Sequence, residues 1–305
     1  MIFCSVGARA FVPRVTADRL KVFARRLKQM SALDKKIKHF VIMRFFSFDD
    51  PKYPHDIYDT DFLANQLVLA KNNALSSLDN QTNKNFDIVF ILNVKFFDNP
   101  KYEFILTELQ NGTALPVKFI KNAEQPRLVK EAMADYDFVI QSRMDLDDFV
   151  YKDAVAETHA KADECVDLLS YGYCKGYIYT YGELYPQYNT WEELGHLAIL
   201  QSLILKSSFA RNLPFMGAYG HNHGRVKTVI QEFLEKNGIA FAERMFQQNI
   251  SDRAYIYFRH ENSHWQLTQR GTSQIKIPDH PPIMNITKEQ LAAEFGFHYE
   301  LKSIK

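Results

Sequence analysis

The chain has 305 residues, 46% of them hydrophobic and 24% charged, with a formal net charge of +1. That composition supports a full core and argues against a disordered chain or a uniformly basic nucleic-acid binder. No apolar run reaches the roughly 18–20 residues that cross a bilayer, and three cysteines without metal-type spacing, Cys4, Cys165 and Cys174, argue against a disulfide framework or a zinc site.

The charge is unevenly placed. Residues 1–38 carry ten Lys and Arg against Asp18 and Asp34, a local +8 that leaves −7 for the remainder. Leu20, Phe23, Leu27 and Met30 recur at helical spacing, with Arg19, Lys21, Arg25, Arg26 and Lys28 on the other faces, so the segment reads as a basic helical arm. Such an arm either packs on the domain with a solvated basic face or lies, through residues 14–38, on an anionic membrane surface. Nucleic acid is not an expected partner, because the rest of the chain is acidic and no recognised binding module follows. The opening residues, interrupted by Arg9 and Arg14, lack the long apolar region of a signal peptide, so the expected location is cytoplasmic, with peripheral contact at the inner membrane face.

From residue 39 the pattern alternates. HFVIMRFF (His39 to Phe46) reads as a buried strand, Asp61 to Asn80 as a helix on Leu63, Leu67, Leu75 and Leu78, and NFDIVFILN (Asn85 to Asn93) as a second strand, which together make a βαβ unit. A helix near Lys101 to Gln110, a strand at Pro116 to Ile120, a helix at Arg127 to Ala134 and a strand at Tyr136 to Gln141 follow. Elements of these lengths predict a mostly parallel sheet with helices on both faces, whose ligands gather at the carboxyl ends of the strands.

The segment SRMDLDD sits at such an end. Clustered carboxylates raise one another's pKa unless a cation neutralises them. Asp145 and Asp147, flanking one residue, could both reach a hard divalent ion, Mg²⁺ or Mn²⁺, whose other positions go to water and phosphate oxygens. That arrangement suits a nucleotide diphosphate, and Arg143 stands beside it as a partner for carboxylate or phosphate. The competing reading makes Asp147 or Asp148 the cap of a helix beginning near Val150.

These residues resemble the nucleotide-sugar glycosyltransferases of the GT-A fold. The resemblance rests on Ser77-Leu78 followed by Gln81-Thr82 and Phe86 before the second strand, and on Asp145-Leu146-Asp147 after the fourth. Arg44-Phe45 at the end of the first strand, together with the run Arg143 to Asp148, is similar to the rhamnosyltransferase group of that superfamily. The likeness covers about residues 39–265, most closely 39–150. It implies a Rossmann-like α/β fold preceded by the basic arm: 1–38 the arm, 39–150 a nucleotide-sugar-binding half, 151–305 an acceptor-binding half with a C-terminal extension. It also implies that Asp147 holds the metal bridging the donor's phosphates, that Asp145 binds ribose or completes the metal shell, that Asp148 faces the donor sugar or supports the turn, and that Arg44, Phe45 and Arg143 contribute to donor binding. One departure is informative: many GT-A enzymes end the second strand with an acidic residue against the nucleoside, and this chain has Asn93, which leaves that role to Arg44 or the 47–56 loop.

Downstream, VYKDAVAETHAKAD reads as a helix, and the tyrosine-rich stretch from Val166 to Trp191 as strands that form either an acceptor cleft or packing core. Glu192 and Glu193 in TWEELGH are candidates for the base that an inverting transferase needs, in competition with Asp148 or with a helix-dipole role. By the same resemblance His223, paired with His221 ahead of a helix from Val226 to Lys236, is a candidate to complete the metal shell or touch the diphosphate, in competition with a polar loop and helix cap. His260 and His264 follow a strand at Tyr255 to Phe258 and carry no HExxH motif, which removes a zinc-protease reading. The expected function is transfer of a sugar, rhamnose among the candidates, from a nucleotide-diphosphate donor to a capsule, lipopolysaccharide or lipid-linked glycan, with Mn²⁺ or Mg²⁺ and with inversion. The alternatives are a non-catalytic binding protein of the same fold and another nucleotide-dependent transferase. A nucleotidyltransferase would normally show a glycine-rich loop after the first strand, where FFSFDDPKYPHD has no glycine.

Overall fold

The computed structural model describes residues 35–46, 58–180, 182–188, 199–217, 225–249, 253–259, 282–283 and 286–299. The basic arm therefore lies outside the described residues, apart from its last four positions, and β1 (Ile37–Phe45) already begins within the segment read as arm.

In β1 the run Phe40 to Met43 is buried on both faces, as the strand's continuous apolar sequence requires. Helix α1 (Thr60–Ala70) starts at Asp59, whose carboxylate accepts the Phe62 N–H at 2.8 Å. The helix read over 61–80 is interrupted. A π-turn at Lys71–Leu75 joins α1 to α2 (Ser76–Asp79), an inserted residue of the kind associated with functional sites. Then come β2 (Asp87–Leu92), α3 (Glu103–Asn111), β3 (Val117–Lys121), α4 (Gln125–Asp135) and β4 (Phe138–Met144). β4 runs three residues further than the sequence suggested. The helix expected near Val150 begins later: Phe149–Val150 is a short strand, β5, and α5 spans Ala154–Lys161. Neither Asp147 nor Asp148 is thus a helix cap, because extended backbone follows them.

The remaining elements are β6 (Leu168–Tyr173), β7 (Lys175–Thr180), β8 (Glu183–Tyr188), β9 (Gln201–Lys206), α6 (Val226–Lys236), β10 (Phe246–Asn249), β11 (Tyr255–Phe258) and α7 (Lys288–Phe295). Seven strands form one mixed, mostly parallel sheet in the order β10-β6-β9-β4-β1-β2-β3, with β9 antiparallel to β4 and β6. Alternate residues of β1 reach two cores: Val41, Met43 and Phe45 join Leu63 and Leu67 of α1 and Ile105 of α3, whereas Phe40 and Ile42 join Val129 and Met133 of α4 and Ile230 of α6. The expected architecture, a largely parallel α/β sheet with helices on both faces, is what the chain adopts.

A second, four-stranded sheet has the order β5-β11-β7-β8. Its apolar face packs Phe149, Tyr177 and Phe258 against Leu291 and Phe295 of α7. Gly176 lets β7 approach β11 closely, since a Cβ there would lie 2.6 Å from the Tyr255 carbonyl oxygen. Gly296 ends α7 in the left-handed region at φ 68°, with Ser76 directly beneath it.

A polar chain threads the first core. His159 Nε2 lies 3.1 Å from His39 Nδ1, His39 Nε2 lies 2.7 Å from Ser142 Oγ, Ser142 and Ser202 hydroxyls are 2.6 Å apart, and Ser202 donates to the Leu200 carbonyl at 3.0 Å. Burial keeps His39 well below the ordinary histidine range, with His159 adding to the effect, and burial holds His159 down at about 4. With both rings held neutral, one imidazole donates to the other across their single 3.1 Å contact. No helix among the described residues is long and apolar enough to cross a membrane.

Candidate functional site

The parallel strands β1, β2 and β4 end together, and β4 delivers Arg143 to that edge. Met43 of β1 lies beside Met144 of β4, so Arg44 and Asp145 continue at the same level. Strand alternation directs Arg44 and Arg143 to the α4/α6 side, and Gln201 at the start of β9, paired with Arg143, lies on that side too. The Nε atoms of Arg44 and Arg143 are both buried. Two guanidinium groups thus flank the carboxyl end of the sheet where ligands of open α/β sheets bind. Phe45, on the opposite side of β1, is enclosed in the core and packs edge-on against Phe46 and Phe96. It supports Arg44 from behind and offers no surface to a donor.

Asp145 and Asp147 are each part-exposed in the turn that follows. Arg143 approaches Asp145 at 3.8 Å, with 42% of the aspartate side chain open to solvent. Asp148 has the opposite character. It is fully buried, its Oδ1 accepts the Phe258 N–H at 3.2 Å, and its Oδ2 has no hydrogen-bond partner among the described residues. Burial, and then the neighbouring Asp147 and Asp145 charges, push its carboxyl well above the usual range. The same burial raises the Tyr257 hydroxyl, with Asp148 and Asp147 contributing, and Arg259 lies over the Tyr257 ring at 5.2 Å.

The turn is held from behind by the π-turn and α2. Asn73 donates to the Asp147 carbonyl at 2.8 Å, and the Ala74 N–H reaches the Leu146 carbonyl at 3.4 Å. The Ser77 hydroxyl donates to the Val150 carbonyl at 2.9 Å while accepting the Val150 N–H at 2.8 Å. Gln81 donates to the Tyr151 carbonyl at 2.9 Å and accepts the Val155 N–H at 3.1 Å, and the Thr82 hydroxyl reaches the Asp153 carboxylate at 2.6 Å. The Ser77…Gln81-Thr82 pattern noted in the sequence is therefore a bracket for the backbone just past the aspartates. Asn73 carried no sequence signal, because an asparagine inside a helical pattern reads as neutral until the π-turn aims it outward.

A divalent cation fits this edge in part. Among the described residues no three His, Cys, Asp or Glu side chains converge as a metal cage. Two part-exposed carboxylates are nonetheless the donor set that Mg²⁺ ordinarily takes from a protein, its other positions going to water and phosphate, and the next residue, Asp148, has an unsatisfied Oδ2.

Glu192, Glu193, His221, His223, His260, His264 and the 47–56 loop lie outside the described residues. Asn93 accepts the Lys95 N–H on its side-chain oxygen at 3.1 Å and so caps the following turn. Five tyrosines of β6 to β8 serve as packing: Tyr171, Tyr173, Tyr177 and Tyr185 are buried, and Tyr179 stacks on Phe258 with ring centroids 4.9 Å apart. An apolar pocket lined by Met133, Leu168, Leu205, Phe215 and Phe233 lies beside the start of β4, about 20 Å from the aspartates by strand rise. It is not part of this site.

The chain is similar to solved structures of TarS from S. aureus. To TarS it is 14% identical with a TM-score of 0.38, covering 76% of this chain and 38% of that one. To TarS 1–349 in complex with UDP it is 15% identical with a TM-score of 0.37, over 75% of this chain and 62% of that one. To TarS 1–349 it is 16% identical with a TM-score of 0.37, over 72% and 60%. The chain thus spans less than two thirds of the length of each. No curated protein matches it in sequence. The family described as "Putative rhamnosyl transferase" matches residues 54–223, more than half of the chain and the whole stretch from α1 through the aspartate turn to β9, and the chain belongs to that family.

Proposed function

We propose that the protein moves a sugar, rhamnose or a related deoxyhexose, from a nucleotide-diphosphate donor to a surface glycan or lipid-linked glycan acceptor, with Mn²⁺ or Mg²⁺ and with inversion at the anomeric carbon. The observation that carries this reading is the pair of part-exposed carboxylates, Asp145 and Asp147, in the turn after β4, with Arg143 3.8 Å from Asp145 and Arg44 one position past the Met43–Met144 pair on the neighbouring strand.

Breaking the anomeric C–O bond builds negative charge on the departing diphosphate, and groups fixed in advance where that charge develops lower the barrier most. Arg44 and Arg143 are held by strand backbone, so little reorganisation is needed for them to meet the phosphates. Asp145 and Asp147 would hold the cation, which supplies further fixed positive charge when bound. Asp148 serves as a buried brace, joining the turn to β11 through the Phe258 N–H. That leaves proton abstraction from the acceptor to Glu192 or Glu193, with His223 completing the metal shell. In this scheme residues 39–150 bind the donor and 151–305 the acceptor, and the basic segment 14–38 brings the enzyme to the inner membrane face, where lipid-linked acceptors lie.

Calorimetric titration of UDP, GDP, dTDP and CMP with and without Mn²⁺, repeated on Asp147→Ala, tests the reading. Metal-dependent binding of one diphosphate that the substitution abolishes supports it and names the nucleotide. Binding of none of them in either condition would favour a carbohydrate-binding role for the same fold.

A further inference from the structure

Tyr299 lies 226 positions from Asn73 in the chain, yet its hydroxyl donates to Asn73 Oδ1 at 2.6 Å, and Asn73 in turn donates to the Asp147 carbonyl at 2.8 Å. The orientation of this chain is unambiguous. A backbone carbonyl only accepts, so the Asn73 NH₂ must face Asp147, its oxygen must face Tyr299, and the tyrosine must donate. Burial pushes the Tyr299 hydroxyl up to about 12, so it remains a donor throughout the working range.

The surroundings fix both partners. Asn73 is fully buried within the π-turn, and Tyr299 packs on Phe258 at 4.7 Å and Phe297 at 5.4 Å between ring centroids. The segment before it grips the same helix, with the Ser76 hydroxyl donating to the Gly296 carbonyl at 2.9 Å and Asn80 to Ala293 at 3.2 Å. Phe258, which Tyr299 touches, also donates the backbone N–H that Asp148 accepts. The aspartate turn is therefore held on two sides by groups that meet at one C-terminal side chain.

We infer that Tyr299 and Asn73 form a positioning relay for Asp147, so that the Tyr299 hydroxyl of the C-terminal segment sets the geometry of the donor site although it supplies no group to it. The inference rests on the reading of Asp147 as a cation ligand for its consequence in binding, but the relay itself has a separate readout. The ring of Tyr299 is kept in Tyr299→Phe while the hydrogen bond to Asn73 is lost. Ser76→Ala loosens the docking of Gly296 without touching the relay.

The experiment combines amide hydrogen exchange across residues 145–148 with a titration of Mn²⁺ in the presence of UDP, GDP and dTDP together. In Tyr299→Phe, exchange at 145–148 rises about five- to tenfold and Mn²⁺ affinity falls by a similar factor, as loss of one buried hydrogen bond entails, while exchange in β2 is unchanged. In Ser76→Ala, both stay at the wild-type level. Wild-type exchange at 145–148 in Tyr299→Phe, or an equal loss in Ser76→Ala, overturns the relay. If wild-type protein binds no Mn²⁺ with any of the nucleotides, the cation-site reading falls, and the exchange result still decides whether the relay exists.

Discussion

Removing the Ser77 hydroxyl tests how strongly the bracket behind the aspartates holds. That single oxygen satisfies both backbone groups of Val150, donating to the carbonyl at 2.9 Å and accepting the N–H at 2.8 Å, and Ser77 and Val150 are both fully buried. Ser77→Ala leaves a buried N–H and a buried C=O without this partner. Each such group costs about 1–3 kcal/mol, so the substitution should destabilise the protein by about 2–5 kcal/mol, a large fraction of a typical folding stability. In urea, with an m-value of about 3 kcal/mol/M, the unfolding midpoint falls by roughly 1 M. Thr107→Ala is the control, because that exposed hydroxyl only returns to the Glu103 carbonyl of its own helix, and its loss costs at most about 0.5 kcal/mol. A Ser77→Ala midpoint no lower than that of the control would refute the view that α2 organises the turn.

The neutral histidine pair predicts acid sensitivity: His159, held at about 4 against 6.5 unfolded, stays neutral in the fold while the unfolded chain takes up a proton, so the stability it contributes is lost as pH falls from 6.5 towards 4. At pH 5 the loss is about 2 kcal/mol, and equal acid sensitivity of wild type and His159→Gln in urea titrations would contradict it. Asp148→Asn imitates the neutral acid and keeps an acceptor for the Phe258 N–H. Because the folded carboxyl is raised, wild type is penalised as pH rises above the ordinary carboxylate range, so metal-free Asp148→Asn should unfold at higher urea at pH 7, with the gain vanishing near pH 4; a lower midpoint at pH 7 speaks against a buried neutral brace. Gly176→Ala drives a methyl group into the Tyr255 carbonyl and ring, and thermal denaturation should register a loss of about 1–3 kcal/mol, whereas wild-type stability would mean that β7 and β11 can separate freely.

Local pattern alone determined a good deal of this protein. The apolar runs of β1 and β2 and the helical spacing of Leu63 and Leu67 announced a parallel α/β sheet, because strands buried on both faces and helices buried on one leave different periodicities in the chain. The position of Asp145 and Asp147 after the fourth strand pointed to the sheet's carboxyl edge, and Ser77, Gln81 and Thr82 were visible as a pattern before their role was. Tertiary structure alone decided which members of each cluster face the site. Asp147 and Asp148 are adjacent, as are Arg44 and Phe45, yet strand alternation and the pairing of Asp148 with β11 leave one of each pair part-exposed and send the other into the interior. The contributions of Asn73, His39 and Tyr299 were likewise out of reach, since a π-turn, a buried imidazole chain and a contact between residues 73 and 299 are set by packing across the fold and leave no periodic trace in the sequence.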